Sequence, residues 1–170
     1  MRNFFVKSGR MSAGLRITAL AGVIFAVLHL AVILRTPVLY PPAAAAGLVL
    51  YCLALGMFWW TIKAHRVKPL AACFSTNETL HLVCSGPYRL VRHPFYCSYL
   101  LAWLAGAIGT LNIYLGLTFV AMFALYLTAA LNEEKKFATS PLARDYASYC
   151  GATGRFFPRP FKLINGRRTQ

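Results

Sequence analysis

Acidic residues are almost missing from this chain. Of its 170 residues, four are Asp or Glu (Glu78, Glu133, Glu134, Asp145), against 18 Lys and Arg. Charge of either sign is scarce, at 13% of residues where a soluble domain carries about a quarter. A chain that is 58% hydrophobic, with mean hydropathy +0.55, cannot clothe a water-facing surface. Much of its apolar area is therefore expected to face lipid. The five cysteines are odd in number and no CxxC occurs, so neither a disulfide framework nor a zinc site is indicated. Disorder is excluded by the 14% aromatic content, and the length allows one domain.

Four apolar runs are present, at about 17–34, 43–62, 95–111 and 113–131. A span needs about 20 apolar residues, and the first, second and fourth runs fit. The third is slightly short and reads as one arm of a tight hairpin turning around Gly109, Thr110 and Asn112. The first is too long for a signal-peptide core and lacks a small-residue cleavage site after Arg35. The expected fold is thus all-α, a single polytopic membrane helix bundle. With the amino terminus inside, seventeen Lys/Arg are cytoplasmic and one, Arg35, is external. The positive-inside rule then places both termini and the segments 63–94 and 132–158 in the cytoplasm. The net charge of +14 marks that face and membrane lipid, with no nucleic-acid or protein partner inferred.

Polar chemistry is expected on the same face. Ser85-Gly86-Pro87-Tyr88-Arg89-Leu90-Val91-Arg92-His93-Pro94-Phe95-Tyr96 leads into the third run. Gly86-Pro87 signals a turn, and Pro94 suits the first turn of a helix, where its missing N–H costs nothing. Arg92 and His93 then sit at a helix mouth whose free N–H groups attract anions. The plainer reading is that Arg89 and Arg92 hold lipid phosphates while His93 caps the helix. The second cluster, Asn132-Glu133-Glu134-Lys135-Lys136-Phe137, spends half the acids of the chain where the fourth run emerges. Neighbouring helical residues are about 100° apart, so one carboxylate is expected to point into the bundle and the other toward water, near a Lys or Arg. An antiparallel hairpin gathers Tyr88, Arg92, His93, Tyr96, Glu133 and Glu134 at one mouth. Tyr146, Tyr149 and Gly154-Arg155-Phe156-Phe157-Pro158 are candidates for a lid folding back over it. An acid among aromatics suits a ligand with a cationic centre.

GPYRLVRHPFY, a hairpin, EEKKF, a Tyr-x-x-Tyr pair and GRFFP together resemble the isoprenylcysteine carboxyl methyltransferases and the related phospholipid N-methyltransferases, over roughly residues 80–158. The resemblance implies S-adenosylmethionine bound at the cytoplasmic face under a carboxy-terminal lid, and a lipophilic or small methyl acceptor. It implies cofactor contacts from His81, Leu82, Val83, Tyr88, His93, Pro94, Tyr96, Glu133 and Glu134, with Glu133 the closer match to the family's acid. No metal is implied. The carboxyl methyltransferases carry an arginine four residues before the first Glu of the pair, where this chain has Ala129. An acceptor carboxylate would lose that counter-charge. Methyl transfer is an in-line displacement, so alignment and electrostatics carry the rate. His93, with Arg92 beside it, is the candidate catalytic group, His93 serving as base if the acceptor is an amine. Two other readings remain open at this point. One is a membrane NADPH-dependent reductase, although no Gly-rich dinucleotide fingerprint is present; the other is a non-enzymatic lipid-binding protein.

Overall fold

A computed structural model describes residues 13–37, 40–66 and 82–159, with side chains from Gly22 onward in the first stretch and to Ala64 in the second. Five α-helices account for most of the described chain: α1 (Ala13–Arg35), α2 (Pro41–Arg66), α3 (Pro94–Thr110), α4 (Ile113–Ala138) and α5 (Ala143–Ala152). A 3₁₀ turn at Gly86–Arg89 precedes α3, and no strand forms among the described residues. The fold is all-α.

Helices α2 and α4 are long and apolar enough to cross a membrane. Their large side chains mostly point outward, as Leu48, Val49, Leu53 and Leu55 do on α2 and Leu117, Val120 and Leu131 on α4. The core helix of a soluble protein would bury that surface, whereas here it is left to lipid. Val23, Ile24, Val27, Leu28 and Leu30 of α1 are exposed in the same way. The chain is a helical membrane protein. The apolar part of α4 ends at Leu131, but the helix continues through the acid pair to Ala138.

Small residues let α2 and α3 pack most closely. A Cβ added at Gly47 would lie 2.7 Å from the Gly109 Cα and 2.8 Å from the Ala105 carbonyl oxygen, so the backbones touch where Gly47 crosses α3. Between helices in lipid, where there is little hydrophobic drive, such close approach supplies the van der Waals attraction. Gly109 is therefore a packing residue inside α3, and the turn expected around it begins later. Leu111 takes the left-handed conformation (φ 52°), and Asn112 caps α4 by accepting from the Tyr114 N–H at 2.9 Å. On the other flank, α1 inserts His29 against α3 and α4. Its ring stands edge-on to Trp103 at 4.7 Å and bonds the Thr118 hydroxyl at 2.9 Å. Leu115 and Met122 of α4 are buried against this assembly. The hairpin brings the start of α3 beside the end of α4.

Candidate active site

The chain enters α3 through residues that cannot simply continue a helix. Gly86 adopts φ 60° and Pro87 is buried in the 3₁₀ turn; Pro94 then occupies the first position of α3, also buried. His93 stands at the N-cap, but its side chain makes no capping bond. It turns instead toward the acid pair on α4.

Both glutamates meet it there. Glu133 Oε2 lies 3.4 Å from His93 Nδ1, and Glu134 Oε1 lies 3.2 Å from His93 Nε2. The expectation that one carboxylate would face water is corrected: the two side chains are 17% and 14% exposed. Adjacent helical positions do diverge, but the imidazole carries nitrogens on opposite edges and bridges the angle between them. The two acids then differ in company. Glu133 accepts the Tyr96 hydroxyl at 2.6 Å. Glu134 is gripped by two arginines rather than by a neighbouring lysine. Arg92 Nε donates to its Oε1 at 3.0 Å, and Arg155 closes a fork on both oxygens, at 2.9 and 2.7 Å. Burial alone would raise the Glu134 carboxyl. The bonds from Arg155 and Arg92, the Arg92 charge and the His93 bond outweigh burial and hold it down at about 2. The same pairing raises Arg155 above its ordinary value.

The segment after α5 completes the wall. It runs parallel to residues 91–93: Arg92 N–H donates to the Gly154 carbonyl at 2.8 Å and His93 N–H to the Arg155 carbonyl at 3.3 Å. Arg92 Nη1 adds bonds to the carbonyls of Thr153 (2.6 Å) and Cys150 (3.4 Å), so its guanidinium ties three segments together. The Tyr149 hydroxyl holds the Tyr88 carbonyl at 2.7 Å. Phe156 sets its ring edge-on to both His93 and Phe123, at 6.1 and 5.9 Å. From the other side, Tyr96 stacks on His93 (5.6 Å, 11° between planes) and on Tyr126 (5.3 Å, 16°), and Tyr99 continues the column. Offset stacking of this kind fixes ring positions beyond what burial alone achieves.

The structure thus brings His93, Arg92, Tyr96, Glu133 and Glu134 together. Pro94 positions them, and Tyr88 contributes its backbone to the tail's anchorage. Leu82 and Val83 lie half-buried in the irregular segment before the turn, and His81 is outside the described residues. Neither Arg92 nor His93 takes its plainer role. Arg92, with its side chain 8% exposed, is turned inward, away from lipid phosphate. Sequence reasoning placed Arg155 and Phe156 only in a lid and did not single out Tyr126. Twenty-one positions separate Arg155 from Glu134, so no local spacing signals that pair. An open groove of about 440 Å³ runs between α4 and α5 behind Glu134, lined by Ala138, Ala143, Tyr146, Ala147 and Cys150 with Lys135 at its edge. It borders neither His93 nor Glu133.

Residues 42–142, more than half of the chain, match the phospholipid methyltransferase family. A curated relative, the cobalt-zinc-cadmium resistance protein CzcN of Cupriavidus metallidurans, is 36% identical over 117 residues. The match covers 69% of this chain and 53% of the relative, so the chain spans about half the length of the protein it resembles.

Proposed function

The chain belongs to the phospholipid methyltransferase family, and we propose that it is an S-adenosylmethionine-dependent membrane methyltransferase whose site is the His93–Glu133–Glu134 cluster. The observation that carries this reading is the unequal state of the two acids. Glu134 is neutralised by Arg92 and Arg155, whereas Glu133 accepts the Tyr96 hydroxyl and meets His93, with no arginine fork on it among the described residues. A carboxylate beside stacked aromatic rings fits a ligand with ammonium and sulfonium centres. The donor set is chemically suited to the cofactor. When bound, the cofactor supplies an electrophilic methyl group.

In this reading Glu133 holds the cofactor's ammonium, with the aromatic column of Tyr96 and Tyr126 beside it. Phe156 and the segment Thr153–Phe157 exclude water, which strengthens every electrostatic contact inside. Arg92 acts at one remove, holding Glu134 and the tail carbonyls. His93 is the residue placed to accept a proton from an amine acceptor, through whichever ring nitrogen is released from its carboxylate.

Both guanidinium groups at the cluster are committed to Glu134, and position 129 is Ala, so an acceptor carboxylate would lie in a low-dielectric site without a partner. The acceptor favoured is a neutral or zwitterionic lipophile, or a small thiol or amine reached from the membrane. With the site at the Lys/Arg-rich ends of the helices, the chain has both termini in the cytoplasm.

The test is transfer of labelled methyl from S-adenosylmethionine into total membrane lipid extract, beside a farnesylcysteine analogue, in wild type and Ala129→Arg. The expected result is label in the extract, and farnesylcysteine methylation only with Ala129→Arg. Robust wild-type turnover of farnesylcysteine would sink the acceptor assignment. No label in any acceptor would sink the enzymatic one.

A further inference from the structure

The geometry points to Arg155 as a positioning residue: its fork on Glu134 makes the cofactor site conditional on docking of the segment Thr153–Phe157. This rests on the reading of Glu133 and His93 as the cofactor site.

The docked segment is the back wall of that site. Its carbonyls at Gly154 and Arg155 receive the N–H groups of Arg92 and His93, its Phe156 carbonyl receives the Cys97 thiol at 3.2 Å, and the Phe156 ring covers His93. Phe157, next in line, is 76% exposed and adds little hold. Arg92 Nη1 also holds the Thr153 carbonyl at the start of the segment, and Arg155 on Glu134 is the anchor the segment's own side chains supply; its two short bonds give it the planar match that a lysine cannot reproduce. The same fork orients Glu134. With both oxygens fixed, Glu134 presents Oε1 to His93, and His93 in turn presents Nδ1 to Glu133. One ion pair between chain segments 21 residues apart therefore sets the wall, the imidazole and the ligand-facing acid together. Without it, the competent arrangement becomes a minority state, and apparent affinity falls in proportion to its population.

The experiment uses the full chain in detergent, with amide hydrogen exchange and calorimetric titration of S-adenosylhomocysteine, on wild type, Arg155→Lys and Arg155→Gln. Exchange at the amides of Arg92 and His93 should rise about tenfold or more in Arg155→Gln, with α3 and α4 otherwise unchanged. Arg155→Lys should fall between, because it keeps the charge and loses the fork. Affinity for S-adenosylhomocysteine should fall by a similar factor, and saturating ligand should restore protection at both amides, since binding draws the segment back. Unchanged exchange in Arg155→Gln would overturn the proposal. So would a rise spread over α3 and α4, which marks a general structural role. Should wild type fail to bind S-adenosylhomocysteine, the methyltransferase reading falls and this assignment falls with it as a cofactor-site device, while the exchange data still report whether Arg155 docks the segment.

Discussion

Replacing Glu134 with Gln separates the arginine-paired acid from the one proposed to face the ligand. The carboxylate takes four contacts: Arg92 Nε at 3.0 Å, Arg155 Nε and Nη2 at 2.9 and 2.7 Å, and His93 Nε2 at 3.2 Å. Gln keeps one acceptor oxygen and turns an NH₂ toward donors. Arg92, 8% exposed, is then left charged without its counter-ion, although the Thr153 and Cys150 carbonyls still accept from it. Breaking a buried pair typically costs about 3–5 kcal/mol. Arg155 is 33% exposed and can swing to water, which brings the expected loss to about 2–3 kcal/mol. For a chain of this size that lowers Tm by about 5–10 °C. Glu133→Gln keeps an acceptor for the Tyr96 hydroxyl and should cost under about 1 kcal/mol. The assay is thermal unfolding of both variants in one detergent. Equal Tm values for wild type and Glu134→Gln would refute the division of labour between the acids.

Acid should undo the tail. Since the Glu134 carboxyl lies at about 2 when folded against an ordinary 4.5, its contribution, about 1–2 kcal/mol after solvent screening, is complete above pH ~4.5. It is lost as pH falls toward 2, and protection at the Arg92 and His93 amides, taken relative to the intrinsic exchange rate at each pH, should fall in that window; protection unchanged down to pH 2 would contradict the assignment. Gly47→Leu should destabilise the bundle by about 2 kcal/mol or more, because its Cβ has only backbone at Gly109 and Ala105 to meet. Unfolding in denaturant reads this, and a wild-type midpoint would show that the helices do not cross there. Gly106→Ala should be rescued by His29→Ala, since the added methyl strikes the His29 ring; a double mutant no more stable than Gly106→Ala would place the strain elsewhere.

The hairpin was legible because apolar run lengths and Asn112 carry helix and turn signals directly. The helix entry at Pro94 was legible for the same reason. The mouth followed from the hairpin: once α3 and α4 are antiparallel, His93 and Glu133 are neighbours whatever their separation in sequence. What the residues did not reveal depends on partners brought from afar. A 100° rule for adjacent residues sends one of Glu133 and Glu134 outward, and only a bridging imidazole with covering arginines draws both in. Arg155 in GRFFP reads as one more basic residue until the tail lies along residues 91–93. Gly109 looked like turn chemistry and serves helix crossing, which leaves Leu111 to take the left-handed position. Membrane identity was plain from composition, because 13% charge cannot cover a soluble surface.

The most direct test of the central claim is calorimetric titration of S-adenosylhomocysteine into the wild-type protein and Glu133→Gln. Saturable wild-type binding is expected, weakened in Glu133→Gln by about 10- to 100-fold, the worth of a hydrogen bond to a charged group. Wild-type protein that shows no saturable binding, or Glu133→Gln that binds as tightly as wild type, would contradict that claim.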